Sequence, residues 1–257
     1  MKLRIKFKKY GAVRFIGHLD VMRFFQKAIR RAQIDVVYTA GFSPHQVMTF
    51  AAPLGVGLTS NGEYMDIEVN SIHSCEDVME RLNGASVPGI EIVSVRILPE
   101  GAGNAMASVA AAAYTVSFRE DLMPETDLAA ELPDFLAQEQ ILITKKTKHG
   151  MREMDLKQGI YSLEYRTSGE DCSGSLSMLL DASSGGNIKP VQVVTAMLAR
   201  RGEQLQENAL RIVREDVYTD MGTEGERQLV SLGEIGFSDP KEVQSLSHAR
   251  NPEEDMA

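Results

Sequence analysis

Lys2-Leu3-Arg4-Ile5-Lys6-Phe7-Lys8 alternates a cation with an apolar side chain without a break. Leu3, Ile5 and Phe7 fall on one face, so the segment reads as a strand with an apolar inner face and a basic outer one. From Gly17 to Ala32 the period changes. Val21, Met22, Phe25, Ala28, Ile29 and Ala32 lie on one arc of a helix, and Arg23, Lys27, Arg30 and Arg31 lie opposite. Gly17 is the expected N-cap, and Asp20 suits the positive end of the helix dipole. Short strands follow at Val47–Phe50 and Tyr64–Val69, with Ser60-Asn61-Gly62-Glu63 read as the turn between them. Ser74 caps a second helix running to Leu82, and Ile90–Leu98 closes the unit. Strand, helix, strand, strand, helix, strand is the ferredoxin-like order.

The second half follows the same scheme. Tyr114–Phe118 reads as a strand, Thr126–Gln138 as a helix capped by Thr126, and Ile141–Lys146 and Gly159–Tyr165 as strands flanking a basic loop. Leu176–Asp181 adds a strand, Pro190–Arg201 a helix with proline in its first turn, and Leu210–Val217 the last strand. The expected fold class is therefore α+β, with tandem ferredoxin-like (βαββαβ) units and antiparallel sheets. The boundaries expected are a basic domain over 1–98, a Gly/Ala-rich linker over 99–111, a second domain over 112–218 and an acidic, mobile tail over 219–257.

Charge is divided unevenly along the 257 residues. Residues 1–32 hold ten Lys or Arg against one acid, a net +9, so the remainder carries −18 of the total of −9. A basic element on an acidic protein points to an anionic partner, commonly nucleic acid; the plainer alternative is pairing with acids elsewhere in the chain. No apolar stretch is long enough to span a membrane, and the N-terminus lacks a signal-peptide core. The two cysteines, Cys75 and Cys172, stand far apart with no metal-ligand spacing, and a cytoplasmic location is expected. No P-loop, GxGxxG, HExxH, GxSxG or CxxxCxxC motif occurs, so neither a cofactor nor a metal is expected of this chain.

Three constellations carry what chemistry there is. Arg14, Gly17 and His18 surround a helix start that could receive a phosphate or carboxylate, against the alternative of simple capping with a half-buried histidine. Tyr38-Thr39-Ala40-Gly41-Phe42-Ser43-Pro44-His45 offers an aromatic and an imidazole, which could stack on a base or move a proton, or merely make a turn. Lys145-Lys146-Thr147-Lys148-His149-Gly150-Met151-Arg152 contains no acid, and such a run holds an anion between its cations or is a solvated loop.

Phe15-Ile16-Gly17-His18-Leu19-Asp20 with Arg23, Ala28 and Arg30-Arg31-Ala32 resembles the bacterial radical-SAM-associated (radical-SAM-linked) protein family, a domain of unknown function. Gly41-Phe42-Ser43-Pro44-His45, Phe50-Ala51-Ala52-Pro53-Leu54-Gly55-Val56-Gly57 and Ser60-Asn61-Gly62-Glu63-Tyr64 carry the same resemblance, which extends over roughly residues 1–215. It implies a partner: a radical SAM protein with a cobalamin-binding region. Gln46-Val47-Met48 departs from the pattern, since a basic residue is expected after the His-containing turn. The element order also resembles RAMP-type RNA-processing proteins of CRISPR systems, an analogy of fold alone.

Three functions compete on these observations. The first is a non-catalytic accessory protein of a radical SAM enzyme, holding an RNA (tRNA) substrate through Arg23, Lys27, Arg30, Lys145, Lys146, Lys148 and Arg152. The second is a metal-independent RNA-processing enzyme with His18 and His45 as acid and base. The third is a module that docks only onto another protein.

Overall fold

The computed structural model describes residues 1–147, 150–168, 173–223 and 225–239. The chain divides into two compact units, one of Met1–Val109 with Val217–Ala257 and the other of Ala110–Asp216.

In the first unit the alternation at the N-terminus forms β1 (Lys2–Lys9), followed by α1 (His18–Arg31), β2 (Met48–Phe50), β3 (Thr59–Glu68), α2 (Cys75–Gly84) and β4 (Ile90–Ile97). The sheet order is β4-β1-β3 with β2 on β3, and all three pairings are antiparallel. That is the 4-1-3-2 arrangement of a ferredoxin-like unit. Leu3, Ile5 and Phe7 of β1 meet Val21, Phe25 and Ile29 of α1 and Val78 and Leu82 of α2 in one core. Phe7 and Phe25 pack edge to face with centroids 4.7 Å apart. Ser74 caps α2 as expected, its hydroxyl accepting from the Asp77 amide at 3.1 Å.

Ser60-Asn61-Gly62-Glu63 is not the expected turn but the beginning of β3. β1 is eight residues long and needs a partner of matching length, so Lys9 pairs with Ser60 and Phe7 with Glu63 across a bulge. The reversal from β2 falls earlier, in Ala51–Leu58, where Gly57 adopts φ +89°.

The outer face of β1 also differs from expectation, because much of it is covered. Arg4 is buried with Asp66 of β3, Nε to Oδ1 at 2.9 Å and Nη2 to Oδ2 at 3.0 Å. Lys2 reaches the Ala102 carbonyl at 3.4 Å, Lys6 stands over the Tyr64 ring, and Lys8 pairs with Glu91 of β4 at 3.1 Å.

The second unit runs β5 (Ala111–Phe118), α3 (Leu128–Leu136), β6 (Leu142–Thr147), β7 (Gly150–Asp155), β8 (Ile160–Ser168), β9 (Ser173–Asp181), α4 (Pro190–Ala199) and β10 (Leu210–Asp220). The order β10-β5-β9-β8 repeats the ferredoxin-like arrangement, and the separate β6–β7 hairpin is inserted after its first helix. α3 is capped by Asp127, whose carboxylate accepts from the amides of Ala129 and Ala130. Thr126, expected in that role, donates instead to Glu203 at 2.6 Å.

The segment expected to be a mobile tail is ordered through its described part. β10 continues to Asp220 and pairs with β11 (Leu229–Ser231), Ser231 meets the Tyr64 hydroxyl at 3.1 Å, and Phe237 bridges to Ile97. Leu232 is fully buried. These few apolar side chains suffice because they lie against the outer face of a sheet that already exists. Residues 240–257 lie outside the described part. Among the described residues, no helix is long and apolar enough to cross a membrane.

Candidate functional site

β-strand parity builds the first part of the site. Lys9 shares the face of Leu3, Ile5 and Phe7, and Glu63 shares that of Met65 and Ile67, so both turn inward at the end of the core. The Lys9 ammonium donates to the carbonyls of Ile16 at 3.0 Å and Arg14 at 3.4 Å, which fixes the chain just before α1. Gly17 is the N-cap and supplies no side chain. His18 is half-buried and stands edge-on to Phe50 with centroids 5.2 Å apart. Burial lowers its pKa below the ordinary imidazole value, the charge of Glu63 opposing this and that of Lys9 adding to it. The Arg14 guanidinium lies over the Phe15 ring at 4.7 Å. Lys9 and Glu63 were absent from the expected site residues; their parity with the apolar positions was the available signal.

The second part lies two turns along α1. Val21, Phe25, Ala28 and Ile29 are buried, which leaves Arg23, Lys27, Arg30 and Arg31 exposed as the helical period requires. Arg23 pairs with Asp20 at 3.2 Å, while Arg31 is tied to the Ala85 carbonyl at 2.6 Å. Tyr38 and Gln46 bridge at the stem of the loop that holds Phe42 and His45. Gln46 is buried, and its amide donates to the Gln26 carbonyl of α1 at 3.3 Å. Arg30 Nε donates to that same oxygen, also at 3.3 Å. The loop stem and Arg30 thus adjoin.

The two arms of that loop are joined by their own polar groups. Thr39 N–H donates to the His45 carbonyl at 2.8 Å, the His45 amide donates to Thr39 Oγ1 at 3.1 Å, and His45 Nδ1 lies 3.1 Å from Thr39 Oγ1. Phe42 is fully exposed, at 112%. His18 opens α1, and the stem of the His45 loop is pinned to Gln26, eight residues and about 12 Å further along the helix axis.

In the second unit, Lys145 of β6 stands directly opposite Arg152 of β7. Like charges in a directly opposed pair are destabilising unless an anion lies between them. Arg152 is exposed and Lys145 half-buried, Lys146 belongs to β6, and Lys148 lies outside the described residues. Elsewhere in the unit, a cleft of about 770 Å³ includes Glu131 and Glu203 in its lining. Glu131 is buried and receives Nε of Arg200 and of Arg201, each at 2.5 Å. Glu203 accepts from the amides of Glu125 and Thr126 as well as from the Thr126 hydroxyl. Both carboxylates are committed to holding α3 and the end of α4. Cys75 in the first unit is buried, which pushes its thiol up to about 11 and leaves it inert.

No curated protein matches the chain. Among solved structures it is similar to a chain in a "Crystal Structure of a Cbf5-Nop10-Gar1 Complex", with 9% identity and a TM-score of 0.44. That match covers 84% of this chain and 48% of the other, so the present chain spans about half the length of that protein. A family model described as "Uncharacterized protein conserved in bacteria (DUF2344)" matches residues 2–190. The chain belongs to that bacterial family.

Proposed function

We propose that this chain is a non-catalytic accessory protein of a radical SAM enzyme and holds an RNA substrate, of which tRNA is the expected class, on the outward face of α1. The observation that carries the RNA part is the exposure of Arg23, Lys27 and Arg30 beside a loop that presents an aromatic ring to solvent. Phosphates are held by exposed Lys and Arg with little demand on sequence, and aromatic rings add contacts to bases. Lys145 and Arg152 on the hairpin supply a second cationic site of the same chemistry.

The radical SAM part rests on the resemblance carried by Phe15–Asp20, Gly41–His45 and Ser60–Tyr64. With only Cys75 and Cys172, this chain cannot supply three thiolates to an iron–sulfur cluster, so the cluster chemistry belongs to a partner. The contacts of the two histidines differ, His18 packing on Phe50 and His45 bonding Thr39, and among the described residues no bond links them. A docking-only role is favoured by a specific observation too, the exposure of Phe15, Leu19 and Val56 around the start of α1.

Two experiments separate these readings. In a gel-shift titration with bulk tRNA, the protein is expected to bind at low salt and weaken as salt rises; no shift at low salt ends the RNA reading. In a pull-down from the native host, the radical SAM protein is expected to co-purify. Retention after nuclease treatment identifies direct contact, and its absence under both conditions ends the accessory reading.

A further inference from the structure

Phe42 is the most exposed large apolar side chain among the described residues, and the two arms of its loop are joined by hydrogen bonds. The Tyr38–Gln46 bridge closes the stem, the Thr39–His45 hydrogen bonds join the arms, Pro44 stiffens the return, and Gln46 anchors the stem to Gln26 of α1. Gly41 at φ +110° allows the chain to turn just before the aromatic residue. A phenyl ring held out in water by a braced loop is a built feature. Tyr38, itself 48% exposed, stands at the stem of the same loop, and the Arg30 guanidinium adjoins that stem.

We infer that the Tyr38–Gln46 loop is a stacking platform for an unpaired base of single-stranded RNA, with Arg30 and Lys27 receiving the adjacent phosphates. The argument is one of geometry and charge. Inside a duplex both faces of a base are covered by its neighbours, so a protruding ring can stack only on a base that is unpaired or splayed out. Every base has a π face, so such a contact tolerates sequence while selecting single strands over duplexes. The cations beside the loop match the charge of the backbone that would carry the base. This inference rests on the RNA-holding reading above and narrows it from RNA in general to unpaired RNA.

The chain contains no tryptophan, so Phe42→Trp places a single indole reporter at the tip. An unstructured 12-nucleotide RNA is expected to quench its fluorescence, whereas a duplex of the same length and inorganic polyphosphate leave it unchanged. Phe42→Ala is expected to weaken binding of the single strand by about tenfold or more and leave duplex binding unchanged. Because Phe42 is fully exposed, the thermal unfolding of both variants should match the parent. If wild-type protein binds the 12-nucleotide RNA but quenching is absent, or appears equally with polyphosphate, the platform is overturned while RNA holding survives. If Phe42→Ala leaves RNA affinity intact and instead reduces capture of the radical SAM partner, the loop is a protein contact and the inference fails. If no RNA of either form binds the wild-type protein, both this inference and the reading beneath it fall.

Discussion

β1 and α1 carry the same kind of charge and spend it differently. β1 is the inner strand of β4-β1-β3, so each side chain on it has cross-strand neighbours on both sides. Those neighbours include Asp66 for Arg4, Tyr64 for Lys6 and Glu91 for Lys8. Among the described residues, the outward face of α1 has no cross-strand neighbours of this kind. Arg23 has a local partner one turn back, and Lys27 and Arg30 face solvent. A net charge of +9 over the first 32 residues therefore overstates the cationic surface, and the helix is where it survives. Charge counted along a chain becomes charge available to a ligand only where the fold leaves it without acids at its side.

The strongest test of that contrast is to cut the buried pair. Arg4 and Asp66 are each 3% exposed and joined by two hydrogen bonds, so Asp66→Ala leaves a buried guanidinium unpaired. A loss of about 3–5 kcal/mol in chemical denaturation is expected, with RNA affinity unchanged below the unfolding transition. A loss under about 1 kcal/mol would mean that water reaches Arg4 and that β1 is not committed as described.

A pair in the second unit should give a smaller effect. Burial disfavours ionisation of Glu131, but the hydrogen bonds and charges of Arg201 and Arg200 outweigh it and hold the carboxyl below its ordinary value. A depressed carboxyl contributes stability that is complete above the ordinary glutamate range and lost as pH falls through the lowered value. Glu131→Gln should therefore cost about 2 kcal/mol at pH 7, less than Asp66→Ala because Arg201 is 55% exposed and rehydrates. In acid the difference from the parent should shrink toward zero. A difference that stays constant from pH 7 down to pH 3 would show that packing, and not ionisation, makes Glu131 necessary.

How far these features can be read from sequence follows from the range of the interactions that make them. The strand–helix order of the first unit, the Ser74 cap and Pro190 at the start of α4 rest on neighbours within a few residues and were legible, whereas β7 lies in what reads from sequence as a basic loop. Ser60–Glu63 misled because Asn61-Gly62 is a strong local turn signal, overridden by the length of β1, some fifty residues away. Thr126 was the expected cap of α3, but Glu203, 77 residues on, takes its hydroxyl and Asp127 caps the helix instead. The cations of α1 were visible as an arc at helical period. That Arg4 of β1 would meet Asp66 was not, because nothing local specifies the register of β3.

On α1 the expectation is the reverse of that for Arg4. Lys27→Ala and Arg30→Ala should each leave the unfolding transition within about 0.5 kcal/mol of the parent, since both side chains are exposed. Each should weaken tRNA binding at low salt and lower the slope of log affinity against log salt by about one. A variant with the parental slope would remove that residue from the phosphate contacts.

Lys8 gives the smallest effect and the sharpest boundary between the two regions. It sits on β1, yet it and Glu91 are 36% and 44% exposed, so their 3.1 Å pair is screened by water and is worth no more than about 0.5 kcal/mol. Lys8→Ala should therefore barely move stability at low salt and not at all at high salt. If cations bind RNA simply by being exposed, Lys8→Ala should reduce the salt slope as Lys27→Ala does. If a neighbouring acid removes a cation from the binding surface, the slope should not change. Glu91→Ala separates the two: freeing Lys8 should then raise low-salt tRNA affinity slightly, and an unchanged affinity would place this edge of β1 outside the RNA's reach whatever its charge.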